Sequence, residues 1–173
     1  MTTKTKDAGT AVSSVQPSGV TKWEPWFGFV VRLILGGVAG WAGISKLTDL
    51  PQSVRAVRAY QLLPESLAQP VGYALPALEV ILAILLITGL LTRYASIVKA
   101  GIMLAFVFGI SWAWAQGLNI DCGCFGGGGE LPLDEEADYV TPLIRDAGLF
   151  LGAVYLAVRP RTRLSLDETF QIV

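Results

Sequence analysis

Four long apolar runs occupy most of this sequence, and nothing else in it constrains the fold as much. They extend over about residues 26–47, 72–91, 95–115 and 142–158. At about 1.5 Å of rise per residue, a run of about 20 residues crosses a hydrocarbon core about 30 Å thick, and only the last run is somewhat short. Inside lipid every backbone N–H and C=O must find its partner within the segment, so such runs are helices. The first run is too long and too far from the start for a signal peptide, so it is expected in the mature protein. Thr141 followed by Pro142 suits the first turn of the fourth helix, where proline sacrifices no hydrogen bond, and Arg159-Pro160 ends it. The predicted fold is all-α, a polytopic membrane four-helix bundle over residues 26–158. Residues 1–25 are polar and aperiodic and read as a disordered cytoplasmic tail, with a second tail over 159–173.

Charge sets the expected orientation. Four spans leave both termini on one side, together with Lys4, Lys6, Lys22, Arg93, Lys99, Arg159, Arg161 and Arg163. The opposite side holds Lys46, Arg55, Arg58 and Arg145. The positive-inside rule makes both termini cytoplasmic and places residues 48–71 and 116–141 outside. In the first outer segment Val54, Val57, Tyr60 and Leu63 recur every three residues between Pro51 and Pro64, which predicts a short helix lying in the interface. The second carries Asp121, Glu130, Asp134, Glu135, Glu136 and Asp138 around the run Gly126 to Gly129, and reads as a mobile acidic loop.

Composition narrows the chemistry. The chain has no histidine, which excludes a histidine-ligated haem, a histidine general base and any zinc site built partly from imidazole. Two cysteines cannot complete a four-sulfur metal site within one chain, although a dimer would supply four, so no metal is expected. A formal net charge of −1 with scattered basic residues offers no surface for a phosphate backbone, and nucleic acid is excluded as a partner. The glycine run lacks the Lys-Ser/Thr of a phosphate loop and reads as flexible.

What remains is thiols and carboxylates. Cys122 and Cys124 flank Gly123 within Asn119-Ile120-Asp121-Cys122-Gly123-Cys124-Phe125-Gly126, at a membrane exit facing an oxidising compartment. A disulfide across one intervening residue closes a very small ring, and Gly123 supplies the backbone freedom this demands. Strain makes such a bridge labile, which suits exchange with a partner better than stabilisation of a fold. The competing readings are an oxidised pair that tidies a loop and two buried thiols; exchange is preferred.

Glu79 falls inside the second run, where an isolated charge costs roughly 2.5–3.5 kcal/mol on insertion scales. It needs a partner. Lys46, near the outer end of the first run, is the candidate, with Tyr60 or the Arg145-Asp146 pair as alternatives. A functional site and a purely structural pair weigh equally here. Arg32, about four turns below Lys46, reads as an anchor that snorkels into the cytoplasmic headgroups. Gly36, Gly40 and Gly43, with Ala39, form a small-residue face for close helix packing, and Trp23, Trp26, Trp112 and Trp114 fit interfacial belts.

Several of these elements together resemble the MauE family of methylamine-utilisation membrane proteins, within the broader DoxX-like four-helix group. They are Arg32-Leu33 with Gly36; Ala42-Gly43-Ile44-Ser45-Lys46-Leu47; Tyr60 with Leu63-Pro64; Pro76-Ala77-Leu78-Glu79; Cys122-Gly123-Cys124-Phe125-Gly126; and Arg145-Asp146. The resemblance covers about residues 24–160. It implies a membrane redox component working beside an extracytoplasmic thioredoxin-like protein in disulfide formation in exported enzymes such as methylamine dehydrogenase. In that scheme Cys122 and Cys124 cycle between dithiol and disulfide and electrons pass to or from a membrane carrier such as quinone. Lys46 or Arg145 would favour the thiolate, and Asp121 would oppose it. Two other classes stay open: a non-catalytic accessory subunit of a respiratory or other membrane complex, or of a homo-oligomer, and a small-solute transporter with Glu79 as a proton site. The last is the weaker, since no helix is clearly broken and no repeat is visible.

Overall fold

The four apolar runs become four long helices, and the boundaries between them follow from local backbone chemistry. In the computed structural model the described residues are 24–123, 127–132 and 135–159. The expectations for the two polar tails fall almost wholly outside them, as do Trp23, Cys124 and Asp134. Helix α1 spans Glu24–Leu47, and a short α2 spans Leu50–Ala59. Asp49 caps α2, its Oδ1 accepting the Gln52 N–H at 3.0 Å, and Pro51 sits in the first turn. The next two long helices are α3, Glu65–Thr88, and α4, Thr92–Ala115. A two-stranded hairpin follows, β1 Ile120–Asp121 and β2 Gly129–Glu130, and then α5, Val140–Val158.

Helix α3 is displaced from its expected bounds of 72–91. It begins seven residues earlier, at Glu65 after Pro64, because the polar first turns precede the apolar stretch, and it runs through Pro70 as well as Pro76. It ends three residues earlier because Gly89 adopts a left-handed conformation (φ 70°) and the Leu90 N–H closes back on Leu85 O at 3.0 Å. Leu91 is also left-handed (φ 51°), so the chain reverses in three residues.

Helices α1 and α3 pack antiparallel along the small-residue face expected from the sequence. A Cβ on Gly36 would lie 2.8 Å from Ile87 Cγ1, and one on Gly43 would lie 2.7 Å from Val80 Cγ2 and 3.0 Å from the Pro76 carbonyl oxygen. Only glycine allows these two backbones so close. Helices α4 and α5 form the second closely packed pair. Leu35, Leu82, Leu86, Ala95, Ala153 and Leu156 fill the core between the pairs. Large apolar side chains on all four long helices point outward, among them Trp41, Ile84, Phe108 and Leu151. Among the described residues four helices are thus long and apolar enough to cross a bilayer, and the chain is an all-α polytopic membrane bundle.

The first ten or so residues of α3 overhang the end of α1, and α2 folds against this overhang. The contact repairs a defect. Pro76 has no N–H, so the carbonyl of Gly72, four residues earlier, loses its intrahelical donor. Ser53 of α2, buried, donates its hydroxyl to that carbonyl at 2.8 Å. Gly72 has no side chain because Val54 fills the space: an added Cβ would meet Val54 Cα at 2.6 Å. The short helix expected between Pro51 and Pro64 therefore exists, but Val54 and Tyr60 face protein, whereas Leu63 is exposed and leaves the stripe.

The segment read as a mobile acidic loop contains a short antiparallel hairpin. Ile120 pairs with Glu130 and Asp121 with Gly129. Asn119 clasps the base, donating to Glu135 O at 2.7 Å and accepting the Ala137 N–H at 3.0 Å. Gly127, Gly128 and Gly129 all have positive φ (77°, 93° and 121°), so these glycines serve conformation rather than slack.

Removing the Ser53 hydroxyl leaves the Gly72 carbonyl buried without its donor. Ser53→Ala is expected to cost about 1–3 kcal/mol, read as a lower thermal midpoint in detergent, and Gly72→Ala to cost more, since backbone must move.

Candidate functional site

One face of α1 carries Arg32, Leu35, Ala39, Ala42 and Lys46 at helical spacing, and all five are buried. The inward turn of that stripe brings Lys46 to α3, where its Nζ lies 2.9 Å from Glu79 Oε2. The side chains are 5% and 1% exposed. Phe106 of α4 offers its ring face to the same ammonium, 5.3 Å from the centroid. The expected partner of Glu79 is thus the one found, and Tyr60 bonds the Cys122 carbonyl instead.

A second lysine joins them. Lys99, seven residues into α4 and 1% exposed, places its Nζ 4.0 Å from the other Glu79 oxygen. Counting Lys99 among the cytoplasmic charges was therefore mistaken: it lies inside the bundle. A lone lysine within an apolar helical run was the available signal, since a charge there needs an interior partner. On α5, Arg145 Nε donates to Asp146 Oδ1 at 2.9 Å, and Asp146 is buried. Glu79, Lys99, Arg145 and Asp146 line one small, partly open pocket with Met103 and Phe106. Its volume of about 10 Å³ suits roughly one water molecule.

Arg32 corrects a second expectation. Rather than reaching the headgroups, it is 1% exposed and lies 5.4 Å from the Phe29 ring centroid. Its position on the buried stripe of α1 directs it inward, and the four-turn separation from Lys46 keeps the two on the same face.

The other group of residues gathers at the hairpin end of the bundle. Tyr60, just past α2, packs its ring against Gly109 of α4, where an added Cβ would come within 3.3 Å, and donates its hydroxyl to the Cys122 carbonyl at 3.0 Å. Tyr60, Ile110, Ala113 and Ile120 form a small core there, with half-buried Cys122 packed on it. Asp121, read only as a nearby negative charge, organises the turn: Oδ1 accepts from Gly123 N at 3.2 Å and Oδ2 from Gly128 N at 3.1 Å. An Asp two residues before a glycine was the signal for this. Gly123 has φ 66° and lies against Ala56 and Gly128, a position no side chain could share. Cys124 lies outside the described residues, and the expected pairing with Cys122 lies there with it.

A match to the family model described as "Methylamine utilisation protein MauE" covers residues 24–159. The chain belongs to the MauE family. The proteins named "Methylamine utilization protein MauE" from Paracoccus denitrificans and Methylorubrum extorquens are 28% and 33% identical to it. These matches cover 78% of this chain in each case, and 69% and 70% of those proteins. A third, from Methylophilus methylotrophus, is 33% identical over 102 residues, 58% of this chain and 54% of the relative. No solved structure matches the chain. Every residue of the buried charge cluster and of the hairpin falls within the MauE segment.

Because Glu79 holds two lysines, this MauE-family chain should respond unequally to their loss. Glu79→Leu takes the shared carboxylate away from two buried ammonium groups and is expected to cost about 3–5 kcal/mol, whereas Lys46→Met leaves Glu79 with Lys99 and costs less. Thermal unfolding of both variants in detergent checks the order. Outside the spans, Asp138 accepts the N–H groups of Val140 and Thr141 at 3.1 and 3.2 Å at the start of α5. A hydrogen bond from the Thr141 side chain, followed by the backbone ones, holds its carboxyl below the usual range. The stabilisation is present above the ordinary carboxylate pKa and lost as pH falls through the lowered value. Protection of the Val140 and Thr141 amides, measured relative to their intrinsic exchange rates, should fall over that acid window, and this pH dependence should vanish in Asp138→Asn.

Proposed function

We propose that this chain is a membrane thiol-disulfide redox component that supports disulfide formation in exported proteins, with a thioredoxin-like protein as its immediate partner. The observation that carries the reading is the way the backbone around Cys122 is held. Tyr60 binds the Cys122 carbonyl, and Asp121 binds the next amide in a turn that only glycine adopts comfortably. A structural loop would not call for a buried tyrosine and a glycine-dependent turn beside a pair of closely spaced thiols; a reactive pair that must meet a partner in one geometry does.

In the oxidising direction, a thiolate of the partner attacks a sulfur of the Cys122–Cys124 disulfide and forms a mixed disulfide, releasing the other cysteine as thiolate. The partner's second thiolate then closes its own disulfide and leaves both cysteines reduced. Two electrons and two protons must leave the pair before the next cycle, and a membrane quinone that becomes quinol is an acceptor of the right chemistry. The excess of basic residues beside the termini supports cytoplasmic termini and, with them, an extracytoplasmic position for Cys122 and Cys124. The printed names of the relatives support a role in methylamine utilisation.

Alkylation trapping in growing cells tests the cycle. Wild type should divide between reduced and oxidised forms with growth conditions, and Cys122→Ser should trap a mixed disulfide through Cys124 or lose function. A single redox state under every condition would sink the reading. A membrane-impermeant maleimide applied to intact cells after mild reduction should label the pair. Normal function of the double Cys→Ser variant, with co-purification in a large complex, would instead assign an accessory role.

A further inference from the structure

The hairpin has a free edge. The Leu131 N–H donates to Asn119 O at 2.9 Å, so Asn119 with Leu131, and two residues along Asp121 with Gly129, are the hydrogen-bonded pairs of the ladder. Ile120 and Glu130 are the pair between them, and the N–H and C=O of Glu130 consequently point away from β1. Among the described residues no hydrogen bond is made to either group. Helix α2 flanks this outer side of β2 without closing it. A Cβ on Gly128 would touch Ala56, and one on Gly129 would lie 4.0 Å from Arg55 Cβ. Beyond these contacts a cleft of about 360 Å³ opens between Arg55, Arg58 and Ala59 on one wall and Gly128, Gly129 and Glu130 on the other.

Both guanidinium groups on the α2 wall are substantially exposed, 56% for Arg55 and 45% for Arg58. Arg55 stands 3.8 Å from Asp49, and Arg58 pairs with Glu65, itself 65% exposed. Exposed pairs of this kind contribute about 0–1 kcal/mol, so an incoming carboxylate can replace either partner at little cost. The carboxylate of Glu130 is on the opposite wall, which leaves the α2 side as the place for a negative charge. An exposed strand edge that offers one donor and one acceptor, faced by two arginines, fits an extended main chain carrying acidic side chains.

We propose that this cleft docks the redox partner through an extended, carboxylate-bearing segment whose main chain pairs with Glu130. The proposal rests on the thiol-exchange reading above and adds where the partner binds and what its segment must look like. Strands lie about 4.8 Å apart, so an added strand runs about 10 Å from β1, where Cys122 directly follows Asp121. At about 3.3 Å per extended residue, the partner's reactive cysteine lies about three residues from the docked segment.

The test uses the purified full-length protein, reduced, in detergent micelles, and synthetic peptides. Each peptide has one cysteine capped as a mixed disulfide with thionitrobenzoate, then three threonines, then Val-Glu-Val-Glu. A thiolate of the protein attacks the peptide sulfur, a protein–peptide disulfide forms, and the expelled thionitrobenzoate anion is followed by its absorbance. At subsaturating concentration the acidic peptide should react about tenfold faster than its Val-Lys-Val-Lys counterpart, equivalent to about 1.4 kcal/mol. Methylating its alternate main-chain nitrogens should remove the advantage, and Arg55→Glu with Arg58→Glu should reverse the preference between Glu and Lys peptides. If all three peptides react with wild type within about twofold of one another while free dithiobis(nitrobenzoate) reacts readily, the docking proposal is overturned and the thiol reading stands. If the free reagent reacts only after denaturation, the thiol reading fails and the docking proposal with it.

Discussion

The close approach of α1 and α3 is the contact on which the rest of the molecule depends. In lipid, apolar side chains gain little by leaving their surroundings, so helices associate where their backbones can come close and where polar groups need one another. Gly36, Gly40 and Gly43 supply the first condition. Lys46 and Glu79 supply the second, and the antiparallel register that nests each glycine against α3 is the register that sets the ammonium beside the carboxylate. Shape and charge select the same alignment.

Around that seam the other elements are arranged by what it leaves unfinished. Helix α3 outruns α1, and its overhang carries Pro76 with an unserved carbonyl at Gly72. Helix α2 closes over this point through Ser53 and Val54, and so cannot drift along the surface. Its position delivers Tyr60 to Gly109 and to the Cys122 carbonyl. The hairpin is thereby tied to the bundle through α2, and the geometry at Cys122 inherits the rigidity of helix packing instead of the looseness of a loop.

The interior is unusually rich in ions for a bundle of this size. Lys46, Glu79, Lys99 and Asp146 are all buried, and Arg145 lines the same small pocket. Such a cluster is costly to bury, and breaking one member is costlier than its net contribution suggests, because the remainder are left without their counter-charges. The Lys46–Glu79–Lys99 contacts confer a single arrangement on α1, α3 and α4 that an all-leucine interface would leave to slide, and Arg145 and Asp146 bring α5 to the same pocket.

Much of this could be read from the sequence, because the bilayer imposes rules that act residue by residue. Span number, helical state, the glycine face and the need of Glu79 for a basic partner all follow from the cost of exposing polar groups to lipid, and that cost depends on composition and spacing alone. Helix α3 starts before the apolar run because hydropathy senses lipid contact and the helix extends beyond it, and it stops short of Leu91 because Gly89 turns left-handed. The sequence points Arg32 to the headgroups and counts Lys99 with the cytoplasmic charges, since a long basic side chain near a span end has two destinations and only the neighbouring helices choose between them. The acidic loop became a hairpin through Asn119 and Asp121, whose bonds join residues up to 18 positions apart. Thus the sequence by itself determined that the chain is a four-helix membrane bundle with a paired intramembrane charge, as transfer into lipid is a local property. Which charges meet, and how Cys122 is held, was decided only in three dimensions, because those contacts depend on helix register and on chain segments that lie far apart until packing brings them together.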